Sequence, residues 1–333
     1  MFDLAFIWAG IIAFAVLVYV VLDGFDLGIG ILFPFGKSEK DQDVMMNSIA
    51  PVWDGNETWL VLGGGGLFAV FPLAYAVVMP ALYVPIILML IALIFRGVAF
   101  EYRWRTKRWK KVWDAAFFGG SLIATFMQGI ALGALVQGIE IENRAYAGGW
   151  WDWLTPFSIL TGFALIAGYA LLGATFLILK TEHELQAQMR NYAWKLGIAT
   201  LGFIGVVSLL TPLQDSVYFE RWFNFPGSLY TIFVPALVAL AAFMLFSGLK
   251  AKKDATPFLS SLALFVLSFV GLGISFYPHM VPPSLTIWQA AAPESSLWFT
   301  LVGTIVLIPL ILGYTAYAYW VFRGKTDPDA GYH

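Results

Sequence analysis

The chain of 333 residues is 60% hydrophobic and only 12% charged, and its mean hydropathy is +0.78. A water-soluble domain of this size cannot bury so much apolar surface, so a soluble enzyme is excluded. The chain has no cysteine, which excludes disulfide bonds, thiolate-bound zinc and iron–sulfur clusters held by its own residues. The formal net charge of −2 attracts neither nucleic acid nor anionic surfaces, so no nucleic-acid partner is expected.

Nine hydrophobic segments, each long enough to cross a bilayer, follow one another along the chain. The polar stretches between them are too short to form a soluble domain, so we expect residues 1–333 to form a single transmembrane domain. The sequence therefore predicts an all-α, polytopic integral membrane helix bundle with about nine transmembrane helices. The predicted spans are residues 6–33, 51–75, 77–100, 114–138, 156–179, 195–213, 228–249, 258–278 and 297–322.

Lysine and arginine are distributed unevenly between the two ends of these spans. All of them except Arg144 and Arg221 fall on one side, and the densest run extends from Arg103 to Lys111. The positive-inside rule then places the N-terminus outside and the C-terminus in the cytoplasm. The basic run sets topology and can also bind anionic lipid headgroups. The first span has no basic residues before it, so we expect it to be retained and not cleaved as a signal peptide.

Five ionisable residues lie inside the first three predicted spans, where a charged side chain costs about 2.5–3.5 kcal/mol to insert. Asp23 and Asp26 are three residues apart in the first span, and Asp54 and Glu57 have the same spacing at the start of the second. Such pairs share one face of a helix. Arg96 ends the third span. All five lie toward the cytoplasmic side, so we expect them at one depth.

This set of residues permits two interpretations. Its excess of acid leaves one or two carboxyls able to exchange protons near neutral pH, which indicates a proton path. The alternative is structural: Arg96 pairs with one aspartate, and the other acids cap turns or hydrogen-bond between helices. Two acid pairs at equal depth favour the proton path.

The sequence also contains a glycine run and three histidines. Gly63 to Gly66 lie inside the second span, where each glycine costs about 1 kcal/mol of helix stability relative to alanine. We expect them to allow close approach of a neighbouring helix or a flat cofactor. None of His183, His279 and His333 has a placement suited to haem or metal ligation, so we expect this chain to bind neither.

Motifs spread along the whole chain occur in the order in which one family carries them. They are DGFDLG from Asp23, NSIAP from Asn47, WDGN from Trp53, FR from Phe95, EYR from Glu101, SLTIW from Ser284 and IPLILGYTAYAYW from Ile308. By these motifs the chain resembles subunit II of the cytochrome bd-type quinol oxidases, bacterial terminal oxidases that include the cyanide-insensitive group.

The resemblance implies a heterodimer in the bacterial cytoplasmic (inner) membrane. A larger subunit I would ligate two b-type haems and one d-type haem, which would pass electrons from quinol to O₂. Subunit II would pack on subunit I and supply a cytoplasmic proton path. A small single-helix subunit, membrane lipids and quinone are further candidate partners.

The resemblance also implies roles for single residues. Asp54 matches the acid of the WDGN motif, which is assigned to a proton channel in the family, and Asp23 and Asp26 match the DGFD pair. Glu57 is a departure, because relatives can have glutamine there, and Gln289 stands where some relatives have aspartate. Two other functions stay open for the chain: a proton-coupled secondary transporter and a purely structural membrane partner.

Overall fold

The computed structural model describes residues 3–327, and most of them are helical. Two short antiparallel hairpins, β1 (Ile141–Glu142) with β2 (Ala145–Tyr146) and β3 (His279–Val281) with β4 (Leu285–Thr286), lie between helices. The helices of this part are α1 (Leu4–Leu32), α2 (Glu39–Asn47), α3 (Trp53–Val70), α4 (Pro72–Ala81), α5 (Tyr83–Arg105), α6 (Lys110–Gln137), α7 (Pro156–Lys180), α8 (His183–Leu210), α9 (Ser216–Phe223), α10 (Ser228–Thr231), α11 (Phe233–Lys250), α12 (Ala255–Phe276), α13 (Ile287–Ala290) and α14 (Glu294–Val321).

Eight helical segments within residues 3–327 are long and apolar enough to cross a membrane. They correspond to eight of the nine predicted spans and confirm the all-α membrane bundle. The predicted span 51–75 corresponds to α3 and the beginning of α4, and the polar residues at the start of α3 lower its hydropathy. The count of nine and the orientation in the membrane therefore stay predictions.

Two boundaries differ from those predicted. The helix of the second span ends at Val70, because Phe71 leaves the helical conformation and Pro72 begins α4. The predicted boundary at residues 75–77 therefore falls inside α4. Helix α8 begins at His183, well before the predicted residue 195, because the polar segment that precedes the apolar one is also helical. Hydropathy marks the membrane-embedded part of a helix and misses its polar extension.

Helix α7 lies at the centre of the bundle and packs on α1, α6, α8 and α12. Glycines bring its backbone into contact with α1: a Cβ atom on Gly28 would lie 1.8 Å from the carbonyl oxygen of Tyr169, and one on Gly173 would lie 2.4 Å from the carbonyl carbon of Gly28. No larger residue fits at either position without moving a helix. The position of α1 beside α7 is therefore fixed by backbone contact.

The glycine run of α3 divides between two faces of that helix. A Cβ atom on Gly63 would lie 3.4 Å from Val16, and one on Gly66 would lie 2.5 Å from Ile12, so both glycines bring α3 close to α1. At Gly64 and Gly65 no atom of the described residues lies within 4 Å of such an atom. The expected close approach of a neighbouring helix is confirmed for Gly63 and Gly66, whereas the other two glycines face away from the described chain.

A C-terminal strap, residues 322–326, ties the end of α14 to α7 and α12. The backbone N–H of Thr326 donates to the carbonyl oxygen of Lys180 at 2.7 Å, and Lys325 Nζ lies 2.7 Å from Asp254 Oδ2. Burial raises the pKa of Asp254, but the hydrogen bonds and positive charges of Lys325 and Arg190 outweigh it and hold this pKa below its ordinary value. The strap is thus anchored by backbone and ionic contacts.

Candidate functional site

One face of α1 presents two acids to the interior of the bundle. Tyr19, Asp23, Asp26 and Gly30 follow one another at spacings of three and four residues, so they share a face. Both aspartates are 0% exposed within this chain alone. Asp23 lies about 14 Å before the end of α1, at a rise of 1.5 Å per residue. Both carboxyls are therefore enclosed well inside the helix bundle.

Arg96 of α5 contacts both aspartates and is itself fully buried. Its Nη1 atom lies 2.7 Å from Asp23 Oδ1, and its Nη2 atom lies 3.9 Å from Asp26 Oδ2. A Cβ atom on Gly120 of α6 would lie 3.0 Å from the Arg96 backbone nitrogen, so α5 and α6 are in close contact at this level. The guanidinium also lies 5.9 Å from the ring centroid of Trp53. The structure thus brings Asp23, Asp26 and Arg96 together.

A hydrogen-bonded chain continues from Asp26 to two other helices. Asn56 of α3 donates from Nδ2 to Asp26 Oδ2 at 2.7 Å, and the hydroxyl of Tyr319 in α14 donates to Asn56 Oδ1 at 2.9 Å. Asn56 is buried, whereas Tyr319 is half-buried. Asp26 is therefore hydrogen-bonded to a neutral amide, and Tyr319 of the last long helix holds that amide in place.

The other two predicted acids lie at the edge of this cluster. Glu57 is half-buried and interacts electrostatically with Arg96 and Asp23. Asp54 is exposed in the first turn of α3 and interacts electrostatically with Glu57. It does not belong to the hydrogen-bonded chain formed by the described residues. The structure therefore joins three of the five predicted residues directly, places Glu57 beside them, and leaves Asp54 on the surface of this chain.

A second group of polar side chains, which the sequence reasoning missed, surrounds Tyr19, one turn before Asp23 on α1. Gln128 of α6 donates from Nε2 to the Tyr19 hydroxyl at 2.7 Å, and the Tyr169 hydroxyl of α7 donates to Gln128 Oε1 at 3.0 Å. The sequence signal for this group was Gln128, an amide in the middle of the apolar span 114–138, because a polar side chain at that depth needs a hydrogen-bond partner.

Aromatic rings pack against the predicted cytoplasmic side of the cluster. The rings of Phe33 and Phe117 are 5.0 Å apart, those of Phe100 and Phe117 are 5.2 Å apart, and Trp53 stacks on Phe100 at 4.6 Å. The three phenylalanines are fully buried. This aromatic layer separates the aspartates from the ion-paired Arg103, whose guanidinium lies 5.2 Å from the Phe33 ring.

The two histidines of the described residues lie outside the acid cluster. The side chain of His183 is 90% exposed at the start of α8, and His279 is half-buried in β3. Residues 3–327 contain no group of three or more His, Cys, Asp or Glu side chains placed to hold a metal ion. His333 lies outside the described residues. These placements do not fit haem ligation, and ligation by a partner subunit stays a prediction.

Comparison with known proteins gives one consistent result. The family described as cytochrome bd terminal oxidase subunit II matches residues 4–322. The chain is 33% identical to cytochrome bd-I ubiquinol oxidase subunit 2 of Escherichia coli, with 98% of this chain and 96% of that one covered. It is 31% identical to cytochrome bd ubiquinol oxidase subunit 2 of Bacillus subtilis, with 96% of each covered.

The fold agrees with that result. A chain of the bd oxidase from Geobacillus thermodenitrificans superposes with a TM-score of 0.76 at 18% identity, covering 96% of this chain and 99% of the other. That likeness confirms the architecture, and the sequence relatives confirm the resemblance carried by the motifs. This chain is therefore a multi-pass protein of the bacterial inner membrane and belongs to the cytochrome bd terminal oxidase subunit II family.

Proposed function

We propose that this chain, as subunit II of a membrane quinol oxidase, carries protons from the cytoplasm toward the oxygen-reducing centre of a haem-bearing subunit I. Reduction of O₂ to water consumes protons, and a centre within hydrocarbon needs a polar route to collect them. The observation that carries the proposal is the buried contact of Asp23, Asp26 and Arg96. Relatives named as ubiquinol oxidase subunits support the reaction, and none of them supports the transporter alternative.

The charges of the cluster indicate how it holds a proton. One guanidinium neutralises one carboxylate, and Asp23 takes that place at 2.7 Å from Arg96. Asp26 is 3.9 Å from the guanidinium and bonds instead to the neutral amide of Asn56. An unneutralised buried charge costs several kcal/mol. The cluster is therefore most stable with Asp23 ionised and Asp26 protonated, and the proton on Asp26 can be released and replaced.

The outward face of α3 supports a route between this cluster and subunit I. Asp54, Thr58, Val61, Gly65 and Phe68 recur at spacings of three and four residues, and all five are exposed in this chain. A lipid-facing stripe would not carry an aspartate at membrane depth, because its insertion is costly. Coverage by subunit I removes that cost. Asp54 and Glu57 then lie between the buried pair and the partner.

The cofactors of the complex belong to subunit I in this proposal. Two b-type haems and one d-type haem, ligated there, supply the electron transfer from quinol to O₂. Among the described residues, His183 begins a helix and His279 begins a strand, and this placement does not fit two histidines on either side of one haem. The contribution of subunit II is therefore to bind and move protons at carboxyl oxygens.

Asp26→Asn tests this function in the purified, assembled complex. The amide keeps the shape and hydrogen bonding of the side chain but removes its exchangeable proton. We expect O₂ uptake with quinol to slow at least about tenfold, which is roughly 1.4 kcal/mol on the limiting step. Glu142→Gln is the matched control, because it removes an exposed carboxyl of β1, far from the cluster in sequence and on the predicted external side.

The structural interpretation makes the opposite prediction for the same variant. If Asp26 only joins helices, an amide serves nearly as well and turnover stays normal. Normal O₂ uptake by a fully assembled Asp26→Asn complex with unchanged haem content would therefore contradict the proposed function.

A further inference from the structure

Helix α6 runs antiparallel to α1 along the face that bears the two acids. Two contacts fix its register. Near one end, a Cβ atom on Gly30 would lie 1.9 Å from Ser121 Oγ. Toward the other end, Gln128 Nε2 lies 2.7 Å from the Tyr19 hydroxyl. Increasing residue number on α6 therefore corresponds to decreasing residue number on α1.

The residues between these contacts lie at the level of the acids. On α1 they include Asp23 and Asp26, and on α6 the middle of the interval is Thr125. Thr125 and Ser121 share a helix face with Gln128, since the three follow at spacings of four and three residues. Both hydroxyl residues are 0% exposed. The register thus places a buried hydroxyl at the level of the acid pair.

Several polar atoms in this layer are buried without a hydrogen-bond partner among residues 3–327. A buried polar atom left in that state costs about 1–3 kcal/mol. The atoms comprise two carboxylate oxygens, two guanidinium nitrogens and two hydroxyl oxygens: Oδ2 of Asp23, Oδ1 of Asp26, Nε and Nη2 of Arg96, Oγ of Ser121 and Oγ1 of Thr125.

Water is the ligand that fits this combination of groups. A buried water molecule makes about three hydrogen bonds and both donates and accepts. The carboxylate oxygens require a donor, the guanidinium nitrogens require an acceptor, and each hydroxyl serves as either. A cation is disfavoured by the guanidinium, and an anion is disfavoured by the two carboxyls. The groups come from α1, α5 and α6, which enclose the layer.

We propose that α1, α5 and α6 enclose an ordered-water site in which Thr125 and Ser121 hold water against the free oxygens of Asp23 and Asp26. Its role rests on the proposed function: the water hydrates the acid pair and exchanges protons with it. The buried rings of Phe33 and Phe117 lie toward the predicted cytoplasmic end of this layer. Thr125 is then a positioning residue, which acts by holding water and not by exchanging a proton itself.

Thr125→Val in the assembled oxidase tests the site, because valine keeps the shape of threonine and removes the hydroxyl. We expect density for water beside residue 125 in a cryo-EM map of the wild-type complex and its loss in the variant. We also expect O₂ uptake to slow about fivefold, with a larger solvent deuterium isotope effect. Thr125→Ser, which restores the hydroxyl, should return both quantities toward the wild type.

Thr200→Val is the matched control. Thr200 is also a buried threonine whose hydroxyl has no partner among the described residues, but it lies on α8, which packs on α7 and α11. Its replacement should leave turnover and the isotope effect unchanged. An equal effect of the two valine variants would overturn the proposal, since a general packing change would then explain both.

The outcomes separate this inference from the function on which it rests. A wild-type map that resolves waters elsewhere but shows none beside Thr125 would overturn the water site, even if Asp26→Asn slows turnover. Water density that disappears in Thr125→Val, together with normal turnover of Asp26→Asn, would support the site and contradict the proton-carrying function.

Discussion

Helices α7 and α14 are both long and apolar, but they are held in opposite ways. In their most apolar stretches, 72% of the residues of α7 are buried, against 11% of those of α14. Helix α7 is fixed by glycine contacts with α1, whereas α14 buries only Leu297 and Leu301 and is held by Tyr319 and the C-terminal strap. The acid pair therefore lies against a rigid inner wall and under a weakly attached outer helix.

The strongest test of this difference compares a glycine at the contact between α1 and α7 with a glycine on α14. A Cβ atom on Gly28 would meet the carbonyl oxygen of Tyr169 at 1.8 Å, so Gly28→Ala must force α1 and α7 apart. We expect a loss of about 3 kcal/mol or more, because neither backbone can move without disturbing the core. The midpoint of thermal denaturation of the purified complex measures it.

Gly313→Ala is the control on α14. No atom of residues 3–327 lies within 4 Å of a Cβ atom at Gly313, and alanine favours a helix by about 1 kcal/mol over glycine. The stability of this variant should be unchanged or slightly increased. Equal losses of stability for the two alanine variants would contradict the difference in packing between α7 and α14.

A smaller effect is expected from loosening the strap with Lys325→Met. The change removes the ion pair with Asp254 and the hydrogen bonds of Lys325 Nζ to the carbonyl oxygens of Ile178 and Thr181. Asp254 is partly exposed and keeps Arg190 as a partner, so the loss of the ion pair is limited to about 0.5 kcal/mol. Since the pKa of Asp254 is lowered in the folded chain, this contribution is present at neutral pH and is lost as the pH falls below about 3.9.

Denaturation midpoints at pH 7, compared for Lys325→Met and the wild type, measure the effect of the strap. Lys250→Met provides the comparison for removal of a lysine from the same side, because Lys250 is exposed at the end of α11. If the two variants lose the same stability, the strap contributes nothing specific to the attachment of α14.

The sequence was sufficient to single out the acids, because charged residues inside apolar spans are rare. It did not show which face of α3 meets α1, and this decided the roles of Asp54 and Asn56. The glycines mark that face: Gly66 and Gly63 pack on α1, and counting back from them at spacings of three and four leads to Trp59 and Asn56. Asn56 therefore turns toward Asp26, and Asp54 turns outward.

Other parts of the site depend on contacts that no local pattern encodes. Tyr319 reaches Asn56 across 263 positions of the chain, and Gln128 reaches Tyr19 across 109. The apolar periodicity of α14 and α6 is too weak to show which side of either helix faces inward. Hydropathy thus predicted the helices, but only tertiary packing selected the partners of their polar residues.

The most direct test of the proton-carrying account is proton uptake by the oxidase with Asp54→Asn. The fully reduced complex, reconstituted in vesicles with a pH indicator on the cytoplasmic side, is exposed to O₂, and the rates of proton uptake and O₂ reduction are recorded together. The account predicts that both rates fall at least about tenfold in step, with normal haem content and subunit assembly. Proton uptake at the wild-type rate in a fully assembled Asp54→Asn complex would contradict it.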